Sequence, residues 1–359
     1  MTRFPPTLLA LLLILMAAVL SAVAVGVLAA SPAKSALAVP TAGPAALASP
    51  TVLSGSIRGP LDGLPTPRQR ADRAPIAAMI DNFVAARPQS GTGEASVVYE
   101  APVEGGITRL MPIFLERDAV TLGPIRSARP YFVDWALPYH PLFVHDGGSP
   151  AAQSLIKSLQ DLVDVDAART GATFHRVQNR QAPHNLFTGT PAVRTLARLR
   201  NREMTGKLSP LPHQVDRKPP SHPTARLITI RFAPPGVTPN SDYTVGYRYD
   251  PADDAYLRSV GGTPSVDSLT GQQIRVSNVV VMVTSMKPIP NDPLDRISIR
   301  TTGSGTAYVF RSGERIAATW SKPSRNALLR LTNASGFPIR WNPGTSWIEV
   351  VSPGSVDVR

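Results

Sequence analysis

The strongest constraint in this sequence is an uncharged apolar run at residues 8–30, LLALLLILMAAVLSAVAVGVLAA. A helix rises about 1.5 Å per residue, so a helix over this run is long enough to cross a bilayer core that is roughly 30 Å thick. The run therefore predicts a transmembrane anchor. A secretory signal segment is the alternative, because Val27-Leu28-Ala29 offers a small-residue cleavage site.

The charges that flank this run predict its orientation. Arg3 and the α-amino group precede it, and Lys34 is the basic residue that follows closely. The positive-inside rule then makes residues 1–7 a cytoplasmic tail and places residues 31–359 outside the cytoplasm. We predict a single-pass protein of the cell membrane whose folded part is extracytoplasmic.

The rest of the chain alternates between low-complexity stretches and stretches with regular patterns. Segments rich in Ala, Ser, Pro and Gly that lack periodicity are typical of spacers. This criterion predicts a disordered spacer at residues 31–73, a first domain at 74–204, a linker at 205–224 and a second domain at 225–359. We expect the fragment 225–359 to fold on its own as a β-rich domain.

The first domain mixes strand-like and helical patterns. Ser149 followed by Pro150 predicts the start of a helix, and a second helix is predicted at residues 190–202. Strands mixed with helices indicate an α/β or α+β domain. Short continuous apolar runs predict buried strands at residues 75–80, 95–100, 110–115 and 142–145.

The second domain has the alternation that is typical of strands. Tyr243, Val245, Tyr247 and Tyr249 alternate ahead of a turn at residues 250–254, which predicts a hairpin. Gly- and Ser-rich turns separate the later strand-like runs, so we predict a mainly antiparallel β domain. Those runs are residues 278–286, 296–301, 306–310, 315–320, 328–331 and 347–351.

The charge composition favours an anionic partner. The formal net charge is +12, and only 6 of the 37 basic residues are lysine. Arginine is the residue suited to bidentate contacts with phosphate or carboxylate. The expected partner is an anionic envelope component such as a lipid phosphate or a wall polymer, with another envelope protein as a further partner. The arginines are dispersed and aromatic residues make up only 6%, which argues against nucleic acid.

Several segments together resemble the YerB-like family of bacterial lipoproteins, a two-domain extracytoplasmic family of unknown function. The resemblance covers roughly residues 72–353 and implies architecture and location without an activity. Family members with a lipobox are tethered through a lipidated cysteine, whereas this chain has no cysteine and must rely on its apolar run. The segments are PIAAMIDN (75–82), VYEAPVEGGITR (98–109), GPIRSAR (123–129), HDGGSP (145–150), APHNLF (182–187), YD (249–250) and WIE (347–349).

Polar residues at the ends of the predicted strands of the first domain form the candidate ligand site. The arginines predict an anion cradle, and the helix start after the Gly-Gly turn adds free N–H groups that favour an anion. Alternatively, the arginines are internal struts that pair with Asp81, Glu100, Glu104 and Asp134. The candidate anion-binding residues are Arg87, Arg109, Arg126, Arg129, His145, Gly147, Gly148, Ser149 and His184.

An enzyme that acts on phosphorylated lipid or wall-polymer substrates, a phosphotransferase or hydrolase, is the alternative to a binding or regulatory protein. The order of features is similar to that of the LytR-CpsA-Psr phosphotransferases, although no sequence motif of those enzymes can be placed in this chain. No signature of a known catalytic motif is present, so no catalytic residue is assigned. We predict no cofactor, except that Asp81 and Glu104 would hold a divalent metal ion if the enzyme alternative holds.

Overall fold

The structure is a computed structural model that describes residues 55–202, 208–215, 219–233 and 237–359. The predicted cytoplasmic tail, the predicted anchor at 8–30 and the first part of the predicted spacer lie outside these residues. Within the described ranges, no helix is both long enough and apolar enough to cross a membrane.

Strands outnumber helices in the described part of the chain. The helices are α1 (Arg68–Ala71), α2 (Pro130–Ala136), α3 (Pro150–Ser158), α4 (Ala167–Thr170) and α5 (Thr190–Leu199). The strands of the first half are β1 (Ser56–Arg58), β2 (Pro65–Pro67), β3 (Ile76–Ala78), β4 (Ile80–Asp81), β5 (Val97–Pro102), β6 (Thr108–Phe114), β7 (Leu142–His145), β8 (Val163–Asp166), β9 (His175–Arg176) and β10 (Leu186–Phe187). The strands of the second half are β11 (Leu227–Ile230), β12 (Val245–Asp250), β13 (Ala255–Val260), β14 (Thr263–Pro264), β15 (Arg275–Val276), β16 (Asn278–Val283), β17 (Met286–Pro288), β18 (Ile297–Ile299), β19 (Gly303–Arg311), β20 (Glu314–Lys322), β21 (Arg330–Thr332), β22 (Ser346–Val351) and β23 (Val356–Val358).

One mixed sheet of 11 strands is shared by the two halves of the chain, in the order β21-β20-β19-β16-β22-β5-β6-β3-β7-β8, with β4 beside β6. The last long strand, β22, runs parallel to both β16 and β5, with Ile348 opposite Tyr99. The parallel pair β7 and β8 is joined through helix α3, as parallel strands require a crossover connection. The sheet therefore joins the two predicted domains through their backbones.

The central strands β5, β6 and β22 are buried on both faces, which explains why they are near-continuous apolar runs. The outer strand β20 instead alternates between exposed and half-buried residues over most of its length. Successive residues of a strand point to opposite faces. Ala77, Val97 and Tyr99 lie in one core with helices α2 and α3, whereas Ile76, Ala78 and Val98 lie in the other. The second core also contains helix α5 and the side chains of a second sheet.

That second sheet is antiparallel and has the order β14-β13-β12-β11-β23, with β15 beside β13. It confirms the predicted hairpin, in which Tyr249 pairs with Tyr256 across the turn. It also confirms an antiparallel sheet in the second domain. Tyr247 and Tyr256 of this sheet are fully buried and pack against the large sheet, so the two sheets form a sandwich.

The structure corrects the predicted spacer, which was assigned to residues 31–73. Residues 56–67 form the paired strands β1 and β2, and Leu61 is buried in the first core. The amide of Leu61 donates to Glu116 Oε1 at 2.7 Å. Low sequence periodicity did not mean disorder here, because long-range contacts fix the backbone of this Pro- and Gly-rich stretch.

The predicted linker at 205–224 is also partly packed. Leu211 is buried, and its amide donates to the carbonyl of Pro60 at 2.9 Å. His213 is buried and lies beside Trp341 in an isolated bridge. The described part of this segment, residues 208–215 and 219–224, therefore packs against the folded protein, although the sequence predicted a linker between two domains.

Candidate functional site

Asp81 is the centre of the main polar cluster. It ends β4, where it pairs with Arg109 of β6, and its side chain is 2% exposed. Oδ1 accepts the amide N–H of Phe83 at 2.9 Å. Oδ2 accepts a hydrogen bond from His184 Nδ1 at 2.7 Å and forms an ion pair with Arg126, whose Nε lies 3.2 Å away. One buried carboxylate thus orients a histidine and an arginine.

His184 is held with one ring nitrogen toward Asp81 and the other free. Since an ionised carboxylate only accepts, Nδ1 carries the proton in this hydrogen bond. In the described part of the chain, Nε2 has no hydrogen-bond partner. The ring stacks on Phe83 with centroids 5.0 Å apart and an interplanar angle of 8°. Asp81 and Phe83 together fix the orientation of the His184 ring, with Nε2 as its unpaired nitrogen.

Arg126 and Arg109 make the surroundings of Asp81 positive. The Arg126 side chain is 28% exposed. Among the described residues, Asp81 is its ionic partner, and only Nε makes this contact. Arg109 is buried, and its Nη1 donates to the carbonyl of Ser127 at 2.8 Å, while its Nε has no partner in the described ranges. Burial lowers the pKa of Arg109 to about 10, opposed by the charge of Asp81 and assisted by Arg126.

Arg87 lies on the neighbouring side of this cluster and connects the two halves of the chain. Its Nε donates to Asn82 Oδ1 at 3.1 Å, and its Nη1 donates to the carbonyl of Asp242 at 2.8 Å. The guanidinium carbon lies 4.8 Å from the centroid of the Tyr243 ring. Burial lowers the pKa of Arg87. All three contacts are internal, so Arg87 acts here as a connection between segments.

Arg129 and Ser149 belong to a separate group. Arg129 forms a bidentate pair with Glu104, in which Nε donates to Oε2 at 2.9 Å. Ser149 is the N-cap of helix α3 and accepts the amide of Ala152 at 3.2 Å, which confirms the predicted helix start. Arg129, Ser149 and Arg296 line a cavity of about 140 Å³. Arg129 therefore lies beside the helix start and pairs with Glu104 as the alternative of internal struts predicts, whereas Arg109 and Arg126 do not line this cavity.

His145, Gly147 and Gly148 form a third group, at the end of β7. His145 is buried with both ring nitrogens occupied, Nδ1 by the carbonyl of Gly147 at 2.7 Å and Nε2 by Asp164 Oδ1 at 2.9 Å. Gly147 has a φ of 60°, which favours glycine, and Gly148 bridges to the backbone of Ala128. These residues shape a turn, and both ring nitrogens of His145 already have partners within the protein.

The two carboxylates assigned to a metal ion under the enzyme alternative are paired with different arginines, Asp81 with Arg126 and Glu104 with Arg129. No group of three or more His, Asp or Glu residues in the described ranges has the arrangement of a metal site. Nothing in the described residues supports that part of the enzyme alternative.

The sequence did not predict a buried ionic network below the Asp81 cluster. Glu100 is 0% exposed and accepts from Thr108 at 2.6 Å, Asn82 at 3.2 Å and Arg258 at 2.5 Å. The Arg258 guanidinium carbon lies 4.3 Å from the centroid of the Trp347 ring. Asn82 thus connects the network to the Asp81 cluster. The available signal was an arginine, Arg258, within the mostly apolar strand β13.

Glu349 is the second buried carboxylate of this network. Tyr247 donates to its Oε1, and its Oε2 has no partner among the described residues. Burial and the nearby charge of Glu100 raise the pKa of Glu349 well above its ordinary value, although Arg258 opposes the shift. Burial therefore favours the protonated form of the Glu349 carboxyl, whose pKa is raised.

The stability of the unmodified protein is expected to decrease as pH rises, and we expect the Glu349→Gln variant to lose this decrease. The folded state binds the Glu349 proton more tightly than the unfolded state, so the free energy of unfolding of the unmodified protein decreases as pH rises above the ordinary glutamate range. The neutral glutamine amide does not titrate. Urea unfolding between about pH 5 and about pH 8 should show the variant gaining stability relative to the unmodified protein. If the difference in unfolding free energy between the two proteins is constant across this pH range, Glu349 does not have a raised pKa in the folded state.

These features define a two-domain, mostly β protein in which a sheet of 11 strands is shared by both halves and a cluster of basic side chains surrounds one buried aspartate. Sequence models of the "Protein of unknown function (DUF3048)" N-terminal and C-terminal domains match residues 61–204 and 237–348. The chain belongs to this family. The first match begins at Leu61, in agreement with the ordered segment that was expected to be a spacer.

Two comparisons confirm the resemblance to the YerB-like family. The chain is 30% identical over 299 residues to "Putative lipoprotein YerB" of Bacillus subtilis (strain 168), which covers 82% of this chain and 86% of that protein. The crystal structure of YerB protein from Bacillus subtilis superimposes with a TM-score of 0.75 at 28% identity and covers 84% of this chain and 99% of that one. Both the family and the fold are thus established, and neither comparison names an activity.

Proposed function

We propose that this chain is a protein of the cell envelope that binds an anionic ligand at Arg126 and His184. The observation that carries the proposal is that Asp81 contacts both side chains, while Arg126 keeps guanidinium donors and His184 keeps its Nε2 without partners among the described residues. The apolar run at residues 8–30 and the lipoprotein name of the Bacillus subtilis relative support the envelope location.

The charge balance of the cluster supports an anion. Arg109 and Arg126 contribute two positive charges against the single negative charge of Asp81, and protonation of His184 would add a third. Arg109 is buried with an unpaired Nε, and an unpaired buried donor carries a desolvation penalty of about 1–3 kcal/mol. A bound anion would bring oxygen acceptors to a region that has excess donors.

The rim of the cluster narrows the ligand class. Phe83, which stacks on the ring of His184, is 42% exposed, and the next residue, Val84, is 48% exposed. Exposed apolar side chains next to a basic pair fit an amphipathic anion, such as a lipid phosphate or a phosphorylated wall polymer. A binding or regulatory role at the envelope follows from this chemistry, and another envelope protein remains a predicted partner.

We expect Arg126→Ala to weaken binding of inorganic pyrophosphate by about 1.5 to 3 kcal/mol, the range for hydrogen bonds to charged groups. Calorimetric titration of the detergent-solubilised full chain measures this change. The matched control is Arg275→Ala, which removes the same charge from a surface pair with Asp253. Equal weakening in both variants would mean that binding depends only on the net charge of the protein. Unchanged pyrophosphate binding in both variants would refute the site.

A second candidate function is hydrolysis or transfer of a phosphoryl group at the same cluster. The specific observation is the hydrogen bond between Asp81 and His184, since a carboxylate that holds Nδ1–H leaves Nε2 as a base for an attacking hydroxyl or water. Arg126 would then stabilise negative charge on the transferred group. This arrangement uses the chain's own residues and no bound metal ion.

Turnover of p-nitrophenyl phosphate separates the two functions. If the cluster is catalytic, His184→Asn should lower kcat by about 100-fold or more, the usual contribution of general acid–base catalysis, while pyrophosphate binding persists through Arg126. If the unmodified protein binds pyrophosphate but releases no nitrophenol above the His184→Asn background, the binding role stands and the enzyme is excluded for this substrate class.

A further inference from the structure

A chain of hydrogen bonds runs from β8 to the segment that carries Arg126, and His145 is its central link. His145 is the last residue of β7, and its side chain is 1% exposed. Its Nε2 lies 2.9 Å from Oδ1 of Asp164 on β8, and its Nδ1 lies 2.7 Å from the carbonyl oxygen of Gly147. The ring thus joins an edge strand of the large sheet to the turn that follows β7.

Both neighbours of the ring are hydrogen-bond acceptors, so both ring nitrogens must donate. A backbone carbonyl oxygen has no proton to give, and Nδ1 therefore carries one. Burial raises the pKa of Asp164, but the hydrogen bonds and charges of His145 and Arg169 outweigh burial and hold that pKa below its ordinary value. The ionised carboxylate only accepts, so Nε2 carries a proton as well. His145 is thus a buried imidazolium.

The ionic contacts of the ring are with carboxylates. Oδ1 of Asp164 lies 2.9 Å from Nε2, and Oδ1 of Asp166 lies 4.0 Å from Nδ1. Arg169 pairs with both aspartates. The ring and these residues line a cavity of about 300 Å³. The charged residues of this region are Asp164 and Asp166 of β8, Arg169 of α4, Lys157 of α3 and Asp146, the next residue of the chain.

The turn that His145 holds is bonded at two points to the backbone of the Arg126 segment. The carbonyl oxygen of Gly147, which accepts from Nδ1 of His145, also accepts the amide of Ala128 at 3.0 Å. The amide of Asp146 donates to the carbonyl of Arg126 at 3.0 Å. A movement of this turn therefore shifts the backbone that positions the Arg126 guanidinium beside Asp81.

Deprotonation of the ring must remove one of its two hydrogen bonds, and the bond to Gly147 is the one lost. In a neutral ring, a proton on Nε2 bonds to a charged acceptor, whereas a proton on Nδ1 bonds to a neutral one. Hydrogen bonds to an ionised group are about twice as strong as neutral ones, so the proton stays on Nε2, toward Asp164. The lone pair of Nδ1 then faces the carbonyl oxygen of Gly147 across 2.7 Å, and their repulsion displaces the turn.

We propose that His145 is a positioning residue of the ligand site, which makes anion binding at Arg126 stronger at low pH, where the ring is doubly protonated, than at high pH. The inference rests on the function proposed above and adds the regulation of that site. His145 itself does not contact the anion. It acts through the carbonyl of Gly147 on the backbone of the Arg126 segment.

Calorimetric titration of the detergent-solubilised full chain with sulfate tests the proposal. Sulfate keeps its two negative charges from about pH 5 to about pH 9, a range that includes the usual titration of histidine. Every protein in this series carries His184→Asn, because a histidine at the ligand site would titrate as well. We expect the affinity to fall about tenfold as pH rises, as for the loss of one hydrogen bond. A constant affinity across the range would overturn the proposal.

Two replacements of His145 separate its position from its charge. His145→Asn places an amide near the site of Nδ1 and donates to Gly147 at every pH, so the affinity should stay near its low-pH value. His145→Leu has no donor, so the affinity should stay near its high-pH value. Equal weakening in both variants would mean that the positive charge of His145 is what matters and would overturn the positioning role. The matched control is His222→Asn at an exposed histidine bonded to Ser221, which should leave the pH profile unchanged.

Hydrogen exchange of the unmodified full chain without ligand provides a readout that needs no variant. After correction for the intrinsic pH dependence of exchange, residues 126–128 should lose protection as pH rises, whereas residues 303–311 of β19 should not. If 126–128 lose protection but neither sulfate nor pyrophosphate binds at any pH, the proposed function fails and the coupling through His145 stands. If sulfate binds while the protection of 126–128 does not change, the proposed function stands and the coupling is wrong.

Discussion

Replacing Arg258 by Met is expected to lower the free energy of unfolding by about 3 to 5 kcal/mol, the cost of leaving a buried charge without its partner. Glu100 is 0% exposed, and Arg258 is the basic side chain that contacts it. Without the guanidinium, the Glu100 carboxylate keeps only its neutral donors Thr108 and Asn82. Since a domain is stable by only about 5–15 kcal/mol, this single loss approaches the whole margin.

Guanidinium-induced unfolding of the Arg258→Met variant measures the loss. The matched control is Arg275→Met, which breaks a surface pair whose side chains are 49% and 55% exposed and should cost less than about 1 kcal/mol. In the double variant Arg258→Met with Glu100→Gln, the unpaired charge is gone, so stability should partly return. Equal costs for Arg258→Met and Arg275→Met would show that the buried pair is not the source of the effect.

This network also connects the fold to the proposed site. Glu100 and Arg87 both bond to Asn82, the residue that follows Asp81. A change at Arg258 is therefore expected to disturb the loop that carries Asp81 and Phe83, although Arg258 itself is remote from solvent. Binding measurements on core variants must for this reason be made where the variant is fully folded.

Local features of the fold were predictable from the sequence. The apolar run before Asp81 forms a strand, and Ser149 caps a helix, as the local residue patterns predict. In contrast, the helical spacing of Val193, Leu196 and Leu199 predicts one buried stripe, whereas Leu199 is 79% exposed because the second core ends at Ala197. Helix boundaries depend on packing partners that the sequence does not name.

The sequence identified the residues of the candidate site, but it did not predict which of them lie together in the fold. Asp81, Arg109, Arg126 and His184 were all selected from the sequence, yet their assembly depends on His184 reaching Asp81 across 103 positions. Arg129 was predicted to join them but pairs with Glu104. Strand register and crossover connections decide such groupings, and no local pattern encodes them.

The largest expected effect concerns the fragment 225–359, which the sequence predicted to fold alone. The structure indicates the opposite: cutting at residue 225 removes β5, the strand that pairs with β22 along four residues from Ser346 to Glu349. It also leaves Arg258 without Glu100 and uncovers the apolar side chains of Trp347 and Ile348. We expect the fragment alone to lack cooperative unfolding and to expose apolar surface.

Far-ultraviolet circular dichroism and thermal unfolding of the fragment check this expectation against the chain from residue 55 to 359, which should unfold cooperatively. Co-expression with the fragment 55–224 provides the missing strand and carboxylate, so we expect the two fragments to purify as one complex with a β-rich spectrum. A cooperative transition of 225–359 alone would show that β22 keeps its structure without β5. In that case the shared sheet would be a contact between two self-sufficient domains, and the cost of Arg258→Met would have to come from the second domain itself.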